Sequence, residues 1–205
     1  MKRILVTYAT MAGSTADVAL AVGNEITKSG LQVDVLPLDQ VKDIEGYGGV
    51  VIGAPMIMGY HRAALRFLRK YRGSLHRIPL AVFVMAMSVT RTDEKSAGDV
   101  PVYLDDKLAK APKNVGNLTF RERYARLSNY LQPILRAVQP VKPVSVGVFG
   151  GRLEYGQLKW WAVLFVMLFI QAPARDLRDW AAIQAWSAGL PAAFELAEKK
   201  AAQRP

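Results

Sequence analysis

The sequence contains no cysteine and only two histidines, His61 and His76. Without cysteine the chain has no disulfide, no thiol nucleophile and no cysteine-based zinc or iron–sulfur centre. Two imidazoles without further soft ligands do not make a structural metal centre, so we predict no metal site. Because disulfides are a mark of oxidising compartments, their absence favours a cytoplasmic location.

Acidic residues are also scarce, at 17 against 27 lysines and arginines, which gives a formal net charge of +10. A balance of this sign favours an acidic partner: nucleic acid, an anionic membrane surface or a small anionic ligand. Nucleic acid is the least favoured of the three, because the basic residues lack interleaved aromatic residues at base-stacking spacing.

Long hydrophobic runs are missing as well. The first ten residues lack the length and the cleavage site of a signal peptide. The most apolar stretch, from Trp160 to Ile170, is shorter than the roughly 20 residues that span a membrane. A helix predicted at about 157–171 would be apolar all round, so it must be covered by the protein's own core, by a second copy in a homodimer, or by the headgroup region of a membrane.

Strand and helix patterns alternate along the chain, as in an α/β domain. A chain of 205 residues is the size of one such domain, so we predict a single domain over residues 1–205. The apolar runs predict a doubly wound, five-stranded parallel sheet of order 2-1-3-4-5 between two layers of helices. Residues 91–118 are polar and contain glycine and proline, which predicts an irregular insertion.

The opening of the chain contains the most informative pattern. Residues 4–8 read as a buried strand, and Val18, Val22 and Ile26 recur on one face of a helix. Free N–H groups at the start of such a helix attract an anion. The connecting loop lacks both the lysine of a nucleotide P-loop and a dinucleotide glycine motif, but its hydroxyls suit one phosphate group. An ordinary turn capped by Ser14 or Thr15 is the alternative. The predicted anion-binding residues are Thr10, Met11, Ala12, Gly13, Ser14 and Thr15.

This opening resembles the flavodoxin superfamily. The resemblance rests on the order aromatic, hydroxyl, small, threonine and alanine, which is met by Tyr8, Thr10, Gly13, Thr15 and Ala19. It implies a flavodoxin-like fold in which the first loop holds the phosphate of flavin mononucleotide (FMN). Later segments resemble the group that includes menaquinone-dependent protoporphyrinogen dehydrogenase, whose last helix is similar to residues 176–189 here.

Two further loops follow predicted strands and are expected to flank the flavin ring. A proline-methionine loop that only covers the core is the alternative for the first of them. Gly59 in that loop is free to take a positive φ or to let a ring approach closely. The predicted ring-binding residues are Pro55, Met56, Ile57, Met58 and Gly59 in one loop, and Ser88, Val89 and Thr90 in the other.

Basic residues occur beside these loops. Arg152 follows two glycines at the end of the last strand, where it is expected to contact substrate or cofactor, unless the glycines only make a tight turn. A second group has helical spacing and is either a solvated face or a receptor for carboxylates or lipid phosphates. Its members are Arg62, Arg66, Arg69, Lys70 and Arg72.

The resemblance and the charge together give two functional hypotheses. The first is an FMN-dependent oxidoreductase that passes electrons from an organic donor to a quinone, with FMN as the redox centre and no side chain as general acid or base. The second is a non-enzymatic carrier whose basic face docks acidic redox proteins. Carrier flavodoxins are generally acidic, so the net charge of +10 favours the first.

Overall fold

The structure, a computed structural model, describes residues 3–56, 59–91, 100–153 and 175–203. These residues form ten strands, seven α-helices and one short 3₁₀ helix (Leu38–Gln40). The strands are β1 (Arg3–Tyr8), β2 (Val33–Pro37), β3 (Tyr47–Pro55), β4 (Leu80–Ala86), β5 (Val89–Thr90), β6 (Val102–Leu104), β7 (Ala109–Lys110), β8 (Ser145–Gly150), β9 (Arg152–Leu153) and β10 (Arg175–Asp176). The helices are α1 (Ser14–Thr27), α2 (Arg62–Lys70), α3 (Arg72–Leu75), α4 (Phe120–Tyr124), α5 (Leu127–Val138), α6 (Trp180–Ala188) and α7 (Leu190–Ala202).

Six parallel strands make the main sheet, in the order β2-β1-β3-β4-β8-β6. The predicted fold and the predicted order of five strands are confirmed, with β8 as the fifth. The direction of strand addition reverses between β1 and β3, which is where doubly wound sheets bind ligands.

The sixth strand is a difference from the predicted sheet. Part of the segment 91–118, predicted to be irregular, supplies β6 at the sheet edge and β7 beside β5. β6 has only three residues, follows Pro101 and leaves Tyr103 partly exposed, so its apolar run is too short for a sequence pattern to identify as a strand.

The two faces of the sheet are covered by separate hydrophobic clusters. One cluster packs α2 and α5 against the sheet, and it includes Leu68, Leu131 and Ile134. The other packs α1, α6 and α7 against the opposite face, where Trp186 contacts Phe149 edge to face. The predicted three-layer architecture is therefore confirmed.

Two helices differ from the predicted pattern. Phe120, Tyr124 and Leu127 have the spacing of one helical face, which predicts a single helix after Thr119. That helix is interrupted at Ala125, whose carbonyl accepts a hydrogen bond from the backbone N–H of Thr90. This break turns α4 outward, so Phe120 and Tyr124 are exposed instead of sharing the buried face of Leu127. The closing helix begins at Trp180, not at residue 176, because the carboxylate of Asp179 caps the backbone N–H groups of its first turn.

Candidate functional site

The loops after the strands meet at the carboxyl edge of the sheet. The N–H of Ala9 donates to the carbonyl of Gly53 at 2.9 Å, which joins the ends of β1 and β3. The N–H of Met56 donates to Met85 at 2.8 Å, and that of Gly151 donates to the last residue of β4 at 2.9 Å. The loops that follow β1, β3, β4 and β8 therefore emerge side by side.

The first of these loops ends at an open helix N-terminus. Gly13 is the N-cap of α1 with a φ of 80°, and no side chain caps the helix. Neither Ser14 nor Thr15 is therefore the N-cap that the alternative interpretation, an ordinary turn, requires. An α-helix leaves its first N–H groups without intrahelical partners, so this end of α1 is suited to binding an anion.

The donors around this helix end fit a phosphate group. Thr10 is exposed, Met11, Ala12 and Gly13 are half-buried, and Ser14 and Thr15 are buried at the start of α1. Hydroxyl and backbone N–H groups donate to phosphate oxygens without requiring a cation. The nearest carboxylate in the sequence, that of Asp17, is bound by the guanidinium of Arg178 at 2.7 Å, so it does not stand as an uncompensated charge.

The second predicted loop divides into buried and open parts. Pro55 and Met56 are buried, and Met56 pairs with Tyr60 as an isolated β-bridge. Gly59 has a φ of 94°, and its N–H donates to the hydroxyl of Tyr124 at 2.7 Å. Ile57 and Met58 lie outside the described residues. The loop is therefore fixed at both described ends, and Gly59 lies at its rim.

The third predicted loop is more buried than the pattern indicates. Val89 and Thr90 are buried and form β5, so their backbone is used in pairing with β7. Ser88 is half-buried, and its carbonyl accepts a hydrogen bond from the hydroxyl of Tyr130 at 3.0 Å. Of the three residues, Ser88 is the one that reaches the surface of this edge.

A cluster of four charged residues lies beside α1, and we call it the Arg178 cluster: Asp17, Arg152, Asp176 and Arg178. The side chain of Arg178 is only 6% exposed and binds both oxygens of Asp176, at 2.8 and 2.6 Å. Arg152 lies 3.9 Å from Asp17. Hydrogen bonds from Arg178 lower the pKa of Asp176, and those to Asp176 and Asp17 raise the pKa of Arg178.

The basic residues of α2 are all exposed to solvent, which fits both a solvated face and a surface that receives anionic groups. α2 leads from the carboxyl edge back toward β4, so its N-terminal end lies nearest the loops. Arg62 and Arg66 therefore lie closer to this edge than Arg69 and Lys70 do. Arg72 follows in α3, still further along the chain.

Three residues of this edge, Tyr124, Tyr130 and Arg178, have no motif in the sequence that predicts their roles. Tyr124 and Tyr130 fix the second and third loops through their hydroxyls, although 65 residues separate Tyr124 from Gly59 in the chain. Arg178 is 161 residues from Asp17.

The comparison with protein families agrees with this geometry. A model of the flavodoxin domain matches residues 5–176. The chain belongs to the flavodoxin domain family. Membership indicates FMN as the cofactor, and the predicted cofactor is confirmed. The donors at the start of α1 are of the kind that its phosphate requires.

Individual relatives of this flavodoxin-family chain are distant. It is 30% identical to protoporphyrinogen IX dehydrogenase (quinone) of Escherichia coli strain K12 over 104 residues, which are 49% of this chain and 57% of that protein. The chain thus matches little more than half the length of the curated relative. The match favours an oxidoreductase within the family.

Solved structures support the fold. A short-chain flavodoxin associated with a PDU bacterial microcompartment has a TM-score of 0.53 and 15% identity, over 95% of this chain and 99% of that one. The Flv1 flavodiiron core from Synechocystis sp. PCC6803 has a TM-score of 0.50 and 15% identity, over 98% of this chain and 36% of that one. Identities this low show the fold alone.

The predicted apolar helix at 157–171 lies outside the described residues, as do Trp160 and Ile170. Among the residues that are described, no helix combines the length and the apolar character that crossing a bilayer requires.

Proposed function

We propose that this flavodoxin-family chain is an FMN-dependent oxidoreductase that passes electrons from a carboxylated organic donor to a quinone. The observation that carries the proposal is the group of exposed cations, Arg62 and Arg66, which directly follows a proposed ring-binding loop. The distant relative named as a quinone-linked protoporphyrinogen dehydrogenase supports the same class of donor and acceptor.

Each loop has a defined role in this proposal. Residues 10–15 hold the phosphate through hydroxyl and N–H groups, and Tyr124 keeps Gly59 at the rim of the ring site. Of the predicted ring-binding residues, Gly59 and Ser88 lie at the surface of this edge and flank the ring, while Pro55, Met56, Val89 and Thr90 support them from the core. When bound, FMN supplies the two-electron redox chemistry. Arg62 and Arg66 bind the carboxylates of the donor, and Arg152, which lies beside Asp17, is a further proposed contact for substrate or cofactor.

The second candidate is a non-enzymatic carrier that docks acidic redox proteins. The exposed row of Arg62, Arg66, Arg69 and Lys70 supports it, because a whole helix face of one charge fits a protein surface as well as a small molecule. Turnover separates the two candidates, since a carrier exchanges electrons with a protein partner but does not turn over a small donor.

The location follows from the proposed acceptor. A quinone is dissolved in the membrane, so we place the protein in the cytoplasm with a peripheral contact at the inner face. The segment from Trp160 to Ile170 is the proposed apolar contact, and a homodimer through that segment is the alternative.

An anaerobic assay of the FMN-loaded protein with a porphyrinogen donor and a soluble quinone tests this proposal. We expect steady-state formation of the oxidised, fluorescent porphyrin. The double variant Arg62→Gln/Arg66→Gln should raise KM for the carboxylated donor about tenfold and leave KM for the quinone unchanged. Arg136→Gln is the control, because this exposed arginine lies in the last turn of α5, away from the carboxyl edge. Absence of turnover, together with rapid exchange with an acidic redox protein, would overturn the enzyme proposal in favour of the carrier.

A further inference from the structure

The Arg178 cluster has a position that matters for an anionic ligand. The N–H of Asp17 donates to the carbonyl of Gly13 at 3.2 Å, so Asp17 lies in the first turn of α1, beside residues 10–15. A carboxylate in the first turn of a helix is favourable while the site is empty, because it meets the positive end of the helix dipole. The same charge repels a phosphate that binds there.

Arg178, from a distant segment of the chain, neutralises the negative charge of Asp17. The guanidinium of Arg178 is almost fully buried and is held in place by Asp176, which comes from β10. Arg178 also lies over the ring of Trp180, with 4.7 Å between the guanidinium carbon and the ring centroid. These contacts hold the guanidinium of Arg178 beside Asp17. With Arg152, the cluster has two positive and two negative charges, and its net charge is zero.

We propose that Arg178 determines the preference of this site for a phosphorylated flavin over a neutral one, by cancelling the charge of Asp17 beside residues 10–15. Arg178 is a positioning residue in this role and does not touch the flavin ring. The inference rests on the proposed placement of the FMN phosphate. It deepens that proposal, because it predicts which part of the ligand responds to the cluster.

Charge-changing variants give a distinctive pattern if this is correct. Arg178→Gln leaves the cluster with one net negative charge, which repels a phosphate of nearly two negative charges. Riboflavin lacks the phosphate, so its affinity for the protein should not change on Arg178→Gln substitution. Asp17→Asn in the Arg178→Gln background removes the remaining excess charge, and the affinity for FMN should recover.

The test is the dissociation constant of the apoprotein for FMN and for riboflavin, measured by quenching of flavin fluorescence. We expect Arg178→Gln to weaken FMN binding on the order of tenfold at low salt and to change riboflavin binding less than about twofold. The Asp17→Asn/Arg178→Gln double variant should return FMN binding to within about twofold of wild type. High salt should reduce the difference between Arg178→Gln and wild type.

Other outcomes would overturn the inference. If Arg178 only holds the fold together, Arg178→Gln and the double variant will lose FMN and riboflavin equally, and both will unfold at lower temperature than wild type. If wild type binds FMN no better than riboflavin, the phosphate is not held beside Asp17, and the placement at residues 10–15 fails with the inference. If wild type prefers FMN and Arg178→Gln keeps that preference, only the role of Arg178 fails. The turnover assay does not depend on these results.

Discussion

Gly53 on β3 lies directly against the ring of Phe83 on the neighbouring strand β4. A Cβ at position 53 would lie 1.8 Å from Cζ of Phe83, which is far inside any contact that atoms tolerate. Phe83 is fully buried, so its ring has no open space into which to turn. We expect Gly53→Ala to lower the free energy of unfolding by about 3 kcal/mol in urea denaturation.

Gly73→Ala is the matched control for that variant. Among the described residues outside its own helical turn, none has an atom within 4 Å of the corresponding Cβ position, and Gly73 lies within the short helix α3. Alanine has a higher helix propensity than glycine, so Gly73→Ala should raise the free energy of unfolding by up to about 1 kcal/mol. Adding Phe83→Leu to Gly53→Ala should restore part of the lost stability. Equal stability of the two alanine variants would contradict this account of the sheet.

His61 caps α2 with its imidazole ring. Its Nδ1 accepts a hydrogen bond from the N–H of Ala63 at 3.3 Å, which requires the neutral ring. Burial, and then the charge of Arg66, lower the pKa of His61. Between this lowered pKa and the ordinary value of about 6.5, the unfolded chain binds more protons than the folded one. The contribution of His61 to stability is therefore lost as the pH falls through that window.

Asparagine caps a helix without titrating, so we expect His61→Asn to remove this part of the pH dependence. Urea denaturation of both proteins between about pH 5 and 7.5 checks it. Wild type should lose more stability than His61→Asn on acidification. Carboxylates with lowered pKa values, such as Asp176, lose their contributions only at lower pH. The same loss in both proteins would show that the cap does not sense pH.

At the scale of elements, α4 connects a helix cap to the proposed ring site. The hydroxyl of Thr119 accepts the N–H of Glu122 at 3.3 Å, and the carboxylate of Glu122 accepts the N–H of Thr119 at 2.8 Å. This reciprocal cap fixes α4, which ends at Tyr124. The hydroxyl of Tyr124 in turn accepts the N–H of Gly59.

We expect Thr119→Ala to cost about 1 kcal/mol of stability, because it removes the side-chain half of the cap. FMN binding should weaken by roughly the same free energy or less, since Tyr124 then holds Gly59 less firmly. Thr119→Ser keeps the hydroxyl and serves as the control. Scanning calorimetry gives the stability of each variant, and titration calorimetry with FMN gives its affinity. Unchanged FMN affinity in Thr119→Ala would show that α4 does not influence the ring site.

The sequence could predict the elements whose own residues determine them. Apolar runs identify β1, β3, β4 and β8, and the threonine cap before α4 is visible as a pattern. β6 was not predicted because its three residues, at a sheet edge, are too few to make a recognisable apolar run. The break at Ala125 escaped it because the partner that breaks the helix, Thr90, belongs to another element.

The same distinction applies to the candidate site. The glycine and hydroxyl pattern of residues 10–15 indicates an anion site, and its helix end is open as that interpretation requires. The roles of Tyr124 and Arg178 depend on contacts between segments far apart in the chain, and no local pattern contains that information. Whether Val89 and Thr90 face a ligand or a neighbouring strand also depends on tertiary pairing.

At the scale of the whole molecule, the net charge of +10 predicts binding to anionic membranes that weakens with salt. We expect cosedimentation with phosphatidylserine vesicles at low ionic strength and release at high ionic strength. If α2 is the basic contact, Arg66→Gln/Arg69→Gln should reduce binding severalfold. The control is Lys199→Gln/Lys200→Gln on α7, which removes the same number of positive charges. Equal loss in both variants would reject a specific role for α2.

The proposed function depends most on the placement of the FMN phosphate at the loop after β1 and the open end of α1. Its most direct test is to mix the purified protein with excess FMN, desalt it and record the visible spectrum. We expect a yellow protein that retains about one FMN per chain, as a flavodoxin-type site requires. A colourless protein after desalting would contradict the account.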